Sequence, residues 1–267
     1  MSGTEGSWGV CWALVTGASR GLGAAICEGV APLLGEGSRM VGVARTAGGL
    51  ANTEGQLKKA SAKVEFIPVE LDLSVASKTD METALKLHFG GEDVPSPSRV
   101  LIFHNAGSLG HLKYLKDQVD QQHVQQYFNL NVSSVVTLNA VFMGMVRSLA
   151  PSAAIEVINI SSLCAVQPFK SWGLYCAGKA GRDMLFRVLA SEEPNVTVLN
   201  YAPGPLDNDM QVAARTETAD DDLRSAFSSM KNEGKLLPCS TSVGKLIDIL
   251  NSKKFKSGDH VDYYDEL

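Results

Sequence analysis

Three side chains in the segment INISSLCAVQPFKSWGLYCAGK could deliver a proton to a carbonyl oxygen. Tyr175 and Lys179 stand four residues apart, so in a helix they share a face, one turn from each other. A free phenol titrates near ~10. A neighbouring ammonium such as Lys179, together with a cationic, oxidised hydride carrier, favours the phenolate and brings that value closer to working pH. Ser162 lies thirteen residues before Tyr175, where an apolar run ends. In open α/β sheets that carboxyl end of a strand is where ligands bind. Its hydroxyl suits holding a substrate carbonyl and stabilising charge on the oxygen. The set points to ketone reduction, provided something supplies a hydride.

The hydride source is written near the start. After the first apolar run comes TGASRGLG, with Gly17, Ala18, Ser19, Arg20, Gly21, Leu22 and Gly23 leading into a helical stretch. A strand passing through glycines into a helix presents backbone N–H groups and the helix dipole to a pyrophosphate. The residue that reads the adenosine ribose should lie about 20 residues beyond the last glycine. There the run MVGVAR ends in Arg45, followed by Thr46, with no Asp or Glu at the strand end. Arg20 and Arg45 are either surface residues or a clamp for a 2′-phosphate, where a guanidinium fork serves and a carboxylate would be repelled. The pair at these two places points to NADP(H).

Gly17-Ala-Ser-Arg-Gly21 also fits G-x-S-x-G, the nucleophile elbow of α/β hydrolases, with Ser19 as nucleophile. That rival needs an oxyanion donor from an earlier strand-to-helix loop and a downstream histidine. Only one strand's length of chain precedes Ser19, and His260 is the one histidine in the last third.

Positioning these residues requires a particular rhythm. Short β-branched runs at 10–16, 39–44, 64–69, 100–103, 155–160 and 197–202 read as buried strands. Helical periods fall at 22–34, 78–88, 124–149 and 175–192. Alternating β and α predicts an α/β fold, a doubly wound parallel sheet of Rossmann type in a single domain over residues 1–267. Residues 94–98 (VPSPS) read as a connector, and 258–264 as an edge strand. The polar, acidic stretch from Tyr201 to about Leu237 is either a lid, placed at about 203–237, or a solvated surface helix.

The composition excludes several classes. The chain is 45% hydrophobic and 20% charged, with a net charge of −5, which gives no electrostatic footprint for nucleic acid. The most apolar long stretch, 132–150, is broken by Ser133, Ser134, Thr137, Asn139 and Arg147, so no membrane span is expected. The N-terminus lacks a basic start and an apolar core, and the final Asp-Glu-Leu is then an accident of sequence and no retention signal. Five cysteines without C-x-x-C favour reduced thiols in the cytoplasm. Cys164 and Cys176 flank the reactive serine and tyrosine and read as core thiols. The histidines at 88, 104, 111, 123 and 260 show no ligand spacing, so no metal is expected. His104 reads as a packing residue at a strand end.

The glycine pattern, the NAG at 105–107 and Ser162…Tyr175-x-x-x-Lys179 together resemble the short-chain dehydrogenase/reductase family over the whole chain. Segments 105–110, 160–170, 174–186, 192–196, 199–207 and 255–265 resemble more narrowly its members that reduce pterin side-chain ketones. The resemblance implies that Lys179 also bonds the nicotinamide ribose and that Asn131 supports a proton-relay water, though a helix-packing amide fits Asn131 as well. It implies that Asp72 and Leu73 contact the adenine, and that Asn105 stabilises the sheet and lines the cofactor cleft. Leu206, Asp207, Asn208, Asp209, Met210 and Gln211 would cover the nicotinamide, with Gly204 against substrate. Asp262 is either a solvated carboxylate or the anchor of a pterin. A small-molecule pterin partner and a homodimer through two long helices complete what the resemblance implies. The alternatives are a reductase of steroids or small diketones, and a regulator that binds NADPH without turnover; intact Ser162, Tyr175 and Lys179 argue against the regulator.

Overall fold

The computed structural model describes residues 7–266 except 62, 92 and 93. The N-terminal residues read above for a secretory signal, and Leu267, lie outside the described residues. Seven strands form one parallel sheet: β1 (Cys11–Thr16), β2 (Arg39–Ala44), β3 (Glu65–Glu70), β4 (Arg99–His104), β5 (Ala154–Ile160), β6 (Val196–Ala202) and β7 (His260–Asp262). Their order across the sheet is β3-β2-β1-β4-β5-β6-β7, the doubly wound α/β arrangement expected.

Side chains alternate along each strand, and the two faces fill separate cores. Cys11, Ala13 and Val15 of β1 face one side with Leu22, Ile26 and Leu50. Trp12 and Leu14 face the other with Met81, Phe89 and Phe142. The first face is covered by α1 (Gly21–Val30), α2 (Ala47–Ala60) and α9 (Cys239–Ser252); the second by α3 (Lys78–Phe89), α5 (Ser134–Leu149) and α6 (Gly173–Glu192). Two of these helices, α2 and α9, are not among the helical periods read from sequence. In α2, Gly48, Gly49 and Gly55 depress helix propensity. Gly49 has no room for a methyl group, since a Cβ there would lie 2.7 Å from that of Ser19.

The long helix expected at 124–149 is interrupted. An Asp120-capped α4 (Gln121–Phe128) passes through a π turn, Asn129–Ser133, into α5. Length and composition would let 121–149 cross a membrane, yet Val135, Leu138, Phe142 and Val146 are packed in the core beneath the sheet.

The stretch 203–237 is more ordered than its composition implied. It holds two helices, α7 (Asp209–Glu217) and α8 (Asp221–Asn232). Helix α8 has no buried residue, while the half-buried Leu223 and Phe227 on its inner side pack against the cluster that holds Trp172 and Tyr175.

Candidate active site

Every strand points its carboxyl end the same way, so the loops after β1, β4, β5 and β6 converge on one rim. The glycine loop is shaped by close backbone contacts. Gly17 has φ +69°, and a Cβ there would meet Asn105 Nδ2 at 2.8 Å. At Gly23 a Cβ would lie 2.1 Å from the Gly17 carbonyl oxygen. Asn105 stitches the loop to the sheet, donating to Thr16 O at 2.9 Å while its N–H reaches Thr16 Oγ1 at 3.0 Å. No side chain caps α1, so the N–H groups of its first turn face the rim, a cradle suited to a pyrophosphate. A Gly23→Ala substitution should therefore destabilise the fold by about 1–3 kcal/mol or more. That corresponds to a lower melting midpoint by roughly 2–4 °C per kcal/mol; an unchanged midpoint would contradict this packing.

Ser19 lies in this loop, but the hydrolase reading fails on geometry. Among the described residues outside glycine, only Ser171 and Lys253 have positive φ, so Ser19 lacks the strained turn of an elbow. His260 sits on β7, four strands from β1, or about 19 Å across the sheet.

The expected clamp of two arginines is rearranged. Arg20 forms an ion pair with Asp209 at the start of α7, both well exposed. Such a pair is worth about 0–1 kcal/mol and yields readily to a stronger anion. Arg45 is exposed at the end of β2, with Thr46 next to it leading into α2. Burial raises the Asp72 carboxyl, but hydrogen bonds from the Ser74 side chain and backbone and the Arg45 charge outweigh it, leaving Asp72 below the usual carboxylate value. Leu73 turns its side chain into the core, leaving only its backbone for a ligand.

Ser162 follows β5 and accepts from Cys164 N at 3.2 Å. Tyr175 is buried near the start of α6, edge-on to Trp172 with centroids 5.4 Å apart. Lys179 lies one turn on, its Nζ 5.6 Å from the Tyr175 ring centre and donating to Ile160 O at 2.6 Å. In the chain alone, burial governs both groups. Burial holds the Tyr175 phenol above its ordinary value, with Cys164 adding to the effect and Ser162 and Arg182 opposing it. Lys179 is itself pushed well down, by burial first and then by Arg182. Tyr175 thus keeps its proton at neutral pH, the form a proton donor needs.

Asn131 lies in the π turn, not within a regular helix. Its Oδ1 accepts from Ser108 N at 2.9 Å and its Nδ2 donates to Tyr127 O at 2.9 Å. The amide therefore fixes the kink against the loop after β4. Several side chains of 206–211 also serve structure. Asp207 pairs with Lys231 at 2.7 Å, Asn208 caps α7, and Gln211 is buried and donates to Phe227 O at 3.0 Å. Leu206 is buried and bridges Leu237, whereas Met210 Sδ lies 3.9 Å from the Tyr175 hydroxyl. Gly204, with φ +76°, lets the chain turn where a Cβ would press on Leu237 and Tyr263. Asp262 ends β7 opposite Ala202, two residues before Gly204, and accepts from Tyr264 N at 3.1 Å.

Residues 11–219 match the family model for short chain dehydrogenases. The chain belongs to the short-chain dehydrogenase/reductase family. A sepiapterin reductase of Bos taurus is 42% identical, covering 99% of this chain and 98% of its own. One of Xenopus tropicalis is 41% identical over 97% and 98%. Among solved structures, the KRED1-Pglu enzyme matches with a TM-score of 0.77 at 25% identity, over 94% of this chain and 100% of its own. The chain is thus an oxidoreductase of this family, similar to the sepiapterin reductases, and the family typically uses NAD(P)(H).

Within this short-chain dehydrogenase/reductase frame, sequence reasoning missed the residues that build the site from beneath. Tyr127 presses its hydroxyl onto Gly178, where a Cβ would lie 2.4 Å away. Arg182, fully buried, donates to His104 O and Ala106 O. The signal was available: Arg182 and Asp183 sit one turn beyond Lys179, where a helix face packing on a sheet should be apolar. His104 is a packing residue as read, bonded to Asn139 at 3.1 Å, with burial lowering it to about 3.

Proposed function

We propose that this enzyme uses NADPH to reduce the side-chain ketone of a pterin. The observation that carries the reading is the alignment of Ser162, Tyr175 and Lys179 with an Asp262-bearing strand on one rim, in a chain 42% identical to a sepiapterin reductase over nearly its full length. The glycine cradle at 17–23 and the uncapped start of α1 fit a pyrophosphate, and exposed Arg45 fits a 2′-phosphate. NADPH, when bound, supplies the hydride. Ser162 holds the carbonyl oxygen by hydrogen bonding, and Tyr175 gives its proton to that oxygen as charge develops. Lys179, fixed by Ile160 O, holds the helix face that carries the phenol against β5 and is in place for the nicotinamide ribose. Residues 203–237 act as a lid over Tyr175 within a single domain. It is anchored by Trp172 Nε1 to Thr218 Oγ1 at 3.0 Å and by Tyr114 to Asp220 at 3.0 Å.

The reading extends to assembly and compartment. Exposed Val136 and Leu149 on α5, and Met184, Leu185 and Val188 on α6, support a homodimer through these two helices. All five cysteines are free thiols, in keeping with the cytoplasm.

NADPH consumption measured with sepiapterin, against NADH and against a small non-pterin diketone, tests the function. Sepiapterin with NADPH is expected to be the preferred pair; a diketone turned over far more efficiently points to a general carbonyl reductase. For the cofactor, Arg45→Ala should raise the KM for NADPH about ten-fold or more, the order of one charge-assisted contact, and leave the NADH value nearly unchanged. Equal effects on both cofactors would remove Arg45 from phosphate recognition.

A further inference from the structure

Below the reactive rim lies a run of buried polar side chains that proton delivery does not use. Asp183 follows Lys179 by one turn on α6 and is buried. Its Oδ2 lies 2.6 Å from His260 Nδ1, and its Oδ1 accepts from Asn159 Nδ2 at 3.0 Å. Asn159 Oδ1 in turn accepts from Arg182 Nε at 2.8 Å, and Arg182 donates to Ala106 O at 3.1 Å. The run therefore joins the turn after β4, the strand β5, the helix α6 and the edge strand β7.

Strand β7 is the weak member of this set. It has three residues and a single neighbour, pairing His260 with Asn200, Val261 with Tyr201 and Asp262 with Ala202. Val261 anchors one face in the core, while His260 and Asp262 share the opposite face, toward α6. On α6, Asp183 lies two turns, about 12 Å, below Tyr175; on β7, His260 lies about 7 Å below Asp262. The Asp183–His260 contact thus ties together the lower ends of two elements whose upper ends bear the proton donor and the proposed substrate anchor. Hydrogen bonding to Asp183 holds His260 above the usual histidine value against the burial that lowers it, and the Asp262 and Asp265 charges add to this.

We propose that the Asp183–His260 pair is a clamp that holds β7 at a fixed spacing from α6, making both residues positioning residues for substrate selection. What the anchor holds rests on the pterin reading; the clamp rests on the geometry alone.

Two readouts on the intact protein separate these. Hydrogen exchange at the amides of 261–263 should be at least about ten-fold faster in His260→Leu, as local opening of an unclamped edge predicts, while amides of β1 and β4 stay unchanged. In kinetics, His260→Leu should raise the KM for sepiapterin about 10–100-fold, the order of a displaced charge-assisted contact, and leave the KM for NADPH and a small diketone unchanged. His260→Asn, which keeps a donor near the place of Nδ1, should restore most of both. If His260→Leu does not fold, His260→Gln is read the same way, its amide being set one methylene too far. Unchanged exchange at 261–263, equal losses on both carbonyl substrates, or an Asn variant as poor as Leu would each overturn the clamp. If the unaltered enzyme ignores sepiapterin, the pterin reading fails, and exchange alone decides the clamp.

Discussion

Tyr175→Phe should cut turnover about 10²–10⁴-fold while NADPH binds nearly as before. The prediction follows from what the ring and the hydroxyl separately touch. The ring packs edge-on to Trp172 and among Leu109, Leu112, Cys164 and Ala214, and phenylalanine keeps all of that. The hydroxyl faces Ser162 and Met210, so its loss removes the acid and leaves no buried charge unpaired. Steady-state rates together with tryptophan-fluorescence titration of NADPH check both halves. A variant retaining more than a tenth of its turnover would remove Tyr175 as proton donor.

Asp262→Asn is expected to lower kcat/KM for sepiapterin about 10–100-fold, the order of a hydrogen bond to a charged group. A pterin presents a 2-amino group and an adjacent ring N–H on one edge, two donors that one carboxylate accepts together. An amide offers one acceptor and an unwanted donor in the same space. In the structure Asp262 is half-buried, and Oδ1 accepts from Tyr264 N, which fixes its orientation. NADPH affinity and reduction of a small diketone should hardly change, since neither uses this carboxylate. Equal losses on sepiapterin and the diketone would make Asp262 a structural residue.

The core strands were legible because each is a short, mostly apolar and β-branched run bounded by breakers; 39–44 coincides with β2 to the residue. The reactive serine, tyrosine and lysine were legible because their roles follow from spacing along a strand and one helix face. What escaped depends on contacts remote in sequence. Of the three glycines that lower the helix propensity of α2, Gly49 is required by its close pass to Ser19. The π turn at Asn131 is a local choice of hydrogen bonding, stabilised by Ser108, that periodicity does not encode. Arg20 seemed poised for a phosphate, and only the folded chain brings Asp209, far along the sequence, against it. The Tyr175 phenol was read from Lys179 and an oxidised nicotinamide, and spacing gave no sign that the fold buries the phenol and Lys179 together, with burial dominating both.

On the proposed function, hydride passes from NADPH to the side-chain ketone of a pterin bound on this rim. The test is to incubate the enzyme with sepiapterin and NADPH carrying deuterium at both C4 positions of the nicotinamide, followed by mass spectrometry of the pterin product. A reduced pterin carrying a single deuterium at the former side-chain carbonyl carbon is the expected product. Deuterium in the pterin ring, or no deuterated pterin while a diketone is reduced normally, would contradict it.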